Sequence, residues 1–473
     1  MIIALLEKRH GRTRATSRPA IRRADPAQNS QAEPKLKICM LAACPFPANH
    51  GTPGSIRELA EATAERGHEV HVVTYHIGED LPLRGVHLHR IADWTGEQKV
   101  VVGPTKYRPL YDFQMIFKTI RVMRRYGCDL MHAHGYEAAL AAGCARPLVR
   151  RPIIYSAHNR MGDELASYDF FKSKRLANAL AWVLDHTVPR LGNRCLPHSV
   201  NLQEFLRERG LSERMEPVLN FGIDFENHPR GNRERLRREC GLGDEPIVLY
   251  SGVIDQFQRL DLLIGAMAHV LKRLPRAKLL ILANVHNAKH EAAIREEAER
   301  LGIGGSVLLR APTSMEKGLR LLSIADVAVS PRPQTPGFPI KLLNYMAAQR
   351  ACVLFASSAS ALAHGENVWL AGNDTSESLA AAITRVLRDP SLRTRIALGG
   401  HHFVRDRHDR RAVAAKLSQA YCRLLQPTRR WKEIEARSPI GSQTVDLNHE
   451  SPATNVWDVG MVRPLEVELN AGS

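Results

Sequence analysis

Short unbroken apolar runs alternate along this chain with longer stretches in which apolar residues recur at helical spacing. "KICMLAAC" (37–44) reads as a buried strand, followed by the loop "PFPANHGTPG", a helix "SIRELAEATAERG" and a strand "HEVHVVTYH". A basic helix "FQMIFKTIRVMRRYG", the strand "CDLMHAH", the helix "EAALAAGCARPLVR" and the strand "PIIYSAH" continue the series. Strands separated by helical periods predict βαβ units on a parallel sheet.

The pattern restarts at "PIVLYSG" (246–252). It runs on through the helix "RLDLLIGAMAHVLKRLP", the strand "AKLLILAN", the helix "KHEAAIREEAERLG", the strand "SVLLRAP", the helix "MEKGLRLLSIA" and the strand "DVAVSP". A helix opening "PIKLLNYMAAQ" and a strand "ACVLFAS" follow, and "RRAVAAKLSQAYCRLL" (410–425) closes the body. Two doubly wound α/β domains are expected, one over 36–200 and one over 241–409, with "PVLNFGIDFENHPRGN" inside a hinge at 201–240 and a closing helix at 410–427. Residues 1–35 and 428–473 have no apolar period and read as disordered tails, the first of them basic. Ligands of such sheets collect outside the carboxyl ends of the strands, which here means the cleft between the halves.

Composition adds little to this picture. A chain of 473 residues with 44% apolar and 24% charged residues has the length and balance of a two-domain globular protein. The net charge of +17 favours anionic partners, but nine Lys/Arg against three Asp/Glu fall in the first 37 residues. Nucleic-acid binding would rest on that charge alone, without an aromatic stacking motif, and is not expected. Eight cysteines without a CxxC pair, several inside apolar runs, point to reduced buried thiols and a cytoplasmic setting. Neither a transmembrane span nor an export signal is read from the apolar runs.

The stretch "SPRPQTPGFPIKLLNYMAAQRACVLFAS" (330–357) carries the most chemistry. A helix start exposes unpaired N–H groups that favour a diphosphate. Gly337 would let the backbone approach closely, Pro339 suits a first turn, and Lys341 adds a cation, with Asn344 on the same face. The alternative is a plain βα turn with a solvent-facing lysine. His132 and His134 alternate at a strand end without a third partner at metal-ligand spacing, so they read as structural or acceptor-contacting. On 111–127, Lys118, Arg121, Arg124 and Arg125 accompany Phe113, Ile116, Phe117, Ile120 and Met123; this suits either an anionic membrane surface or a sheet-packing helix with a solvated basic side.

Four segments in order, "PFPANHGTPGSIRELAEATAERGHEVHVVT", "IIYSAH", "NFGID" and "PGFPIKLLNYMAA", resemble the retaining glycosyltransferases of family 4, which have the GT-B fold of two Rossmann-like domains. The resemblance covers about 36–427. It implies transfer of a sugar from a nucleotide-sugar donor to a glycan or lipid-linked acceptor, with retention, in polysaccharide or glycolipid assembly, without a metal or other cofactor. The expected setting is cytoplasmic, with the inner membrane face as a place of peripheral contact. It implies His158 near the reacting sugar; Lys341 and Arg259 are the candidate replacements for the family's missing cations on the leaving diphosphate, and at least one of them is expected to point into the cleft. Gly51 and Thr52, in a loop capped through Ser55 or Thr52, are expected to face the donor, as are Gly252 and Gln258. Thr335, Gly337, Phe338 and Pro339 complete the donor side, and Asn344 would take the ribose hydroxyls. Two departures stand out. The family's Glu-x7-Glu falls on Pro336 and Asn344, leaving Gln334, Thr335 or the backbone to reach the donor sugar. Its Arg and Lys after the first strand of the second half fall on Val253 and Gln258. A catalytically degenerate relative that binds or regulates a partner is therefore the main rival, with a sugar-nucleotide epimerase behind it.

Overall fold

The computed structural model describes residues 34–48, 51–98, 106–165, 173–284, 287–311, 314–333, 338–359 and 361–426. Both expected tails lie outside these residues except for Pro34 and Lys35.

Two parallel six-stranded sheets organise the body. The first contains β1 (Lys37–Ala42), β2 (Glu69–Thr74), β3 (Val86–Arg90), β4 (Leu130–His134), β5 (Ile153–Ala157) and β6 (Arg194–Pro197), in the order β3-β2-β1-β4-β5-β6. The second contains β7 (Ile247–Gly252), β8 (Lys278–Ala283), β9 (Val307–Arg310), β10 (Val327–Ser330), β11 (Ala351–Phe355) and β12 (Trp369–Ala371), in the order β12-β11-β10-β7-β8-β9. Both orders reverse direction beside their first strand, the doubly wound arrangement whose crevice lies at the strands' carboxyl ends.

Helices α1 (Gly51–Glu65), α2 (Arg108–Tyr126), α3 (Tyr136–Val149), α4 (Met161–Leu165), α5 (Lys174–Thr187) and α6 (Val200–Glu208) accompany the first sheet. The second has α7 (Arg233–Glu239), α8 (Leu260–Leu271), α9 (Ala288–Arg300), α10 (Met315–Leu321), α11 (Lys341–Ala347), α12 (Ser376–Arg388) and α13 (Pro390–Arg407). Central strands are buried on both faces, as a parallel sheet requires, and so read as continuous apolar runs. Helix α2 packs Met115, Val122 and Met123 inward and leaves Phe113 and Phe117 exposed, their rings edge-to-face at 5.0 Å.

α14 (Arg410–Leu425) leaves the second lobe and packs on the first, where Val413, Leu417, Ala420 and Tyr421 join Ile38, Met40 and Ile56 in one core. The return is tied at the hinge. Ile223 N–H donates to the His408 carbonyl at 2.9 Å and Arg410 N–H to the Ile223 carbonyl at 3.1 Å. Gly222 is required by space, since a Cβ there would stand 2.8 Å from Arg410 Cα.

Several expectations change. Segment 201–240, read as hinge, carries α6, whose Phe205 and Leu206 enter the first core, and α7, whose Leu236 enters the second. Strands β3, β6 and β12 and helices α5, α12 and α13 were not foreseen. The run expected as loop 45–54 already holds the start of α1 at Gly51, and the Ser55 hydroxyl donates to the Thr52 carbonyl at 2.8 Å, so it does not cap the helix. All eight cysteines are free. Among the described residues, no helix is long and apolar enough to cross a membrane.

Candidate active site

A cavity of about 620 Å³ opens between the two lobes at the carboxyl ends of both sheets. Gly51, Thr52 and His158 line it from the first lobe; Gly252, Gln258, Phe338, Pro339, Lys341 and Asn344 line it from the second. Thr335 and Gly337, with Gln334 and Pro336, lie outside the described residues.

Lys341 opens α11 and turns its amine inward. Its Nζ donates to the Gln258 Oε1 at 2.6 Å and the Tyr250 hydroxyl at 3.0 Å, and lies 4.3 Å from the centre of the Tyr250 ring. Burial pushes this amine down to about 7, with Asp255 pulling upward and Arg332 adding to the depression. Gln258, where the family has a lysine, therefore receives a cation from another element. Tyr345, one helical turn on, fixes the site's floor: its hydroxyl donates to the Ser251 carbonyl at 2.9 Å and accepts from the Ser251 N–H at 2.7 Å. Gly252 is dictated by this crowding, because a Cβ there would lie 2.9 Å from the Tyr250 oxygen and 3.4 Å from Lys341 Nζ.

Arg259 does not join them. It has left-handed backbone geometry (φ 54°), is half exposed, and its guanidinium forms a two-pronged pair with the Asp261 carboxylate at 2.8–3.3 Å. Of the two candidate cations it is Lys341 that lines the cleft, and the reading of Arg259 as the other is corrected: the αL residue sends its side chain to a neighbour's carboxylate. The second cation on that wall is Arg332, two residues beyond β10, with its guanidinium 3.1 Å from the centre of the Phe257 ring. A basic residue directly after a second-lobe strand was the available signal. Arg108 with Glu137 (3.6 Å) and Arg160 with Asp163 (2.6 Å) also line the cavity as ion pairs from the first lobe, and sequence reasoning passed over them.

His158 follows β5. Its Nε2 shares a hydrogen bond with His134 Nδ1 at 3.1 Å, and its ring stacks on Phe221 of the hinge at 5.9 Å. Its Nδ1 and the His134 Nε2 are buried without a partner among the described residues. His198, 4.5 Å away ring to ring, has its Nδ1 2.8 Å from the Leu219 carbonyl. Burial holds His134 and His158 well below the usual range and His198 at about 4, so all three are neutral imidazoles near pH 7. His132 is a structural residue, held by the Tyr421 hydroxyl and Ser156 Oγ at 2.7 Å each. Among the described residues no group of His, Cys, Asp or Glu is arranged to hold a metal ion.

Two Rossmann-like lobes facing each other across such a cavity define the GT-B class of fold. Two family models match: Glycosyltransferase Family 4 over 51–226, and Glycosyl transferases group 1 over 232–401. The chain belongs to the group 1, family 4 glycosyltransferases. It is 24% identical over 300 residues to a D-inositol 3-phosphate glycosyltransferase of Nocardia farcinica, covering 58% of this chain and 63% of the relative. A relative of the same description from Streptomyces bingchenggensis is 21% identical over 318 residues, covering 65% of this chain and 69% of its own length. The chain thus spans less than two thirds of the first of these. Sucrose-phosphate synthase from Thermosynechococcus elongatus superposes with a TM-score of 0.69 at 18% identity, covering 82% of this chain and 99% of that one. Anabaena HepE in complex with UDP and glucose superposes with a TM-score of 0.65 at 17% identity, covering 82% and 100%. At those identities the two structures share the fold.

Proposed function

We propose that the protein transfers a sugar from a nucleotide-sugar donor to a glycan or lipid-linked acceptor with retention of configuration, in the assembly of a surface polysaccharide or glycolipid. The reading rests on one observation: the desolvated amine of Lys341 lies inside the inter-lobe cavity, beside the position where the family's phosphate-binding lysine has become Gln258.

In this scheme Lys341 and Arg332 balance the leaving diphosphate, and the second lobe, through Gly252, Phe338, Pro339 and Asn344, holds the nucleotide. The bond from the anomeric carbon to the diphosphate oxygen breaks while the acceptor oxygen approaches the same face. The acceptor's proton passes to the departing phosphate oxygen, so the protein's part is positioning and charge stabilisation, with no metal required. Neutral His158 lines the cavity from the first lobe and would position the transferred sugar against the second. The relatives' description makes a phosphorylated polyol the first acceptor to try beside glycans. The working place is the cytoplasmic side of the membrane, met peripherally through α2.

The substitutions at Pro336, Asn344 and Val253 favour a second reading, a degenerate GT-B protein that binds a partner. One experiment separates the two: a panel of sugar nucleotides is screened by thermal shift, then assayed for nucleoside diphosphate release with polyol phosphates and oligosaccharides. A stabilising donor whose nucleotide is released, with Lys341→Met losing about 10²–10³ in rate, supports transfer. A folded protein that no donor stabilises overturns it in favour of the partner reading.

A further inference from the structure

The first lobe carries a second cavity, about 180 Å³, that sugar transfer does not use. It lies between α2 and the edge strand β3, lined by Lys118, Arg121, Arg125 and Tyr126 with His89 opposite. Lys118, Arg121 and Arg125 share one helical face and repel one another. No carboxylate lines the cavity, and none of the three forms an ion pair among the described residues. Burial, and then the neighbouring Arg121, hold the Lys118 amine below the usual lysine range.

The histidine wall adds a polarity that a solvated basic face would lack. The Glu69 carboxylate accepts from His71 Nε2 at 2.8 Å, and His71 Nδ1 meets His89 Nε2 at 2.9 Å. His71 is buried and held neutral, so its Nδ1 is the acceptor and His89 Nε2 the donor. His89 is kept at about 4 by burial and then by the charges of its neighbours, so its Nδ1 carries a bare lone pair. That nitrogen makes no hydrogen bond to a described residue. The pocket is thus lined by three cationic side chains and a neutral imidazole.

A phosphate that retains one proton can give its P–OH to a neutral imidazole while its anionic oxygens take the cationic donors, which a fully ionised sulfate or carboxylate cannot do. We propose that this pocket binds a phosphomonoester group, with Lys118, Arg121 and Arg125 holding its anionic oxygens and His89 accepting its remaining P–OH proton. The site is separate from the inter-lobe cavity and does not depend on the transferase reading. Its ligand comes either from a soluble phosphorylated molecule or from a lipid headgroup.

The test uses the full chain at pH 6, where roughly half of a phosphomonoester keeps its second proton. Inorganic phosphate and sulfate are titrated calorimetrically, and flotation is run with phosphatidylcholine vesicles with and without phosphatidic acid. The expected result is saturable phosphate binding at least tenfold tighter than sulfate, or binding to vesicles only when they contain phosphatidic acid. The first identifies a soluble source, the second a lipid source. In either arm R121Q/R125Q lowers affinity by tenfold or more, while sugar-nucleotide binding is unchanged. His89→Phe removes the preference over sulfate. Binding by neither probe, equal binding by wild type and R121Q/R125Q, or equal affinity for sulfate and phosphate without binding to phosphatidic acid vesicles would each overturn the assignment.

Discussion

Held at about 7 by burial against Tyr250 and Gln258, the Lys341 amine carries its charge on only half the molecules at neutrality. A sugar-nucleotide diphosphate has no proton to lose in this range, so its affinity reports the lysine. It should fall as pH rises above about 7, by up to tenfold per unit. Titration calorimetry between pH 6 and 9 checks this, with Lys341→Met flattening the profile; a pH-independent affinity in the wild type would exclude Lys341 as the phosphate cation. Stability moves the other way. In the unfolded chain a lysine titrates near 10.4, so folding sheds a proton in the interval above about 7, and the burden is greatest below it. At this scale the sequence was informative where chemistry and position coincide, as with Lys341 and His158, both legible from their motifs. It offered Arg332 only as a basic residue just past β10, because its meeting with Phe257 joins two loops that no spacing relates. It misled for Arg259, where adjacency to Gln258 said nothing about an αL backbone that aims the side chain at Asp261.

Legibility of the strands follows burial. β1, β4, β5, β7 and β8 are enclosed on both faces, so their apolar runs were unmistakable. β3 is an edge strand of sequence "VHLHR", half-exposed, and β12 has only three residues; neither has a run to read. Helix α5 leaves Leu176, Leu180, Trp182 and Val183 exposed, which blurs its amphipathic signal. α14 was plain in the sequence, but its destination was not, because only the fold returns it to β1. Its core contact makes a quantitative expectation. Leu417 is fully buried, so Leu417→Ala should lower unfolding free energy by about 2–5 kcal/mol in urea titrations. Tyr421→Phe keeps the packing but leaves His132 Nδ1 unpaired, which should cost about 1–3 kcal/mol. If Leu417→Ala is silent, the closing helix contributes no stability to the first lobe.

One buried cation governs how the whole molecule is closed. Arg410, 3% exposed, faces Glu58 (3.2 Å), Glu61 (3.7 Å) and Glu65 (2.7 Å) of α1 and Asp224 (3.0 Å) of the hinge. Arg84 adds to the ring by pairing with Glu61 and Asp224. The network joins the first lobe, the crossing segment and the start of α14 at the point where Gly222 permits close backbone approach. Arg57 and Arg84 also serve Glu61, and Arg84 also serves Asp224, so among the described residues Glu58 and Glu65 are the carboxylates that depend on Arg410 alone. Arg410→Met should therefore cost about 3–5 kcal/mol near pH 7.5, since it removes a buried guanidinium and leaves the partly buried Glu58 and Glu65 without a counter-ion. Burial already raises the Glu58 carboxyl and Arg410 opposes that rise, so without the arginine the carboxyl climbs further. A group whose folded value lies above its unfolded one takes up protons on folding, and its penalty shrinks as pH falls. The deficit of Arg410→Met relative to wild type, measured by urea denaturation, should accordingly narrow between pH 7.5 and 5. An arginine that merely packs would give a gap independent of pH, and that result would remove the network as the tie between lobes.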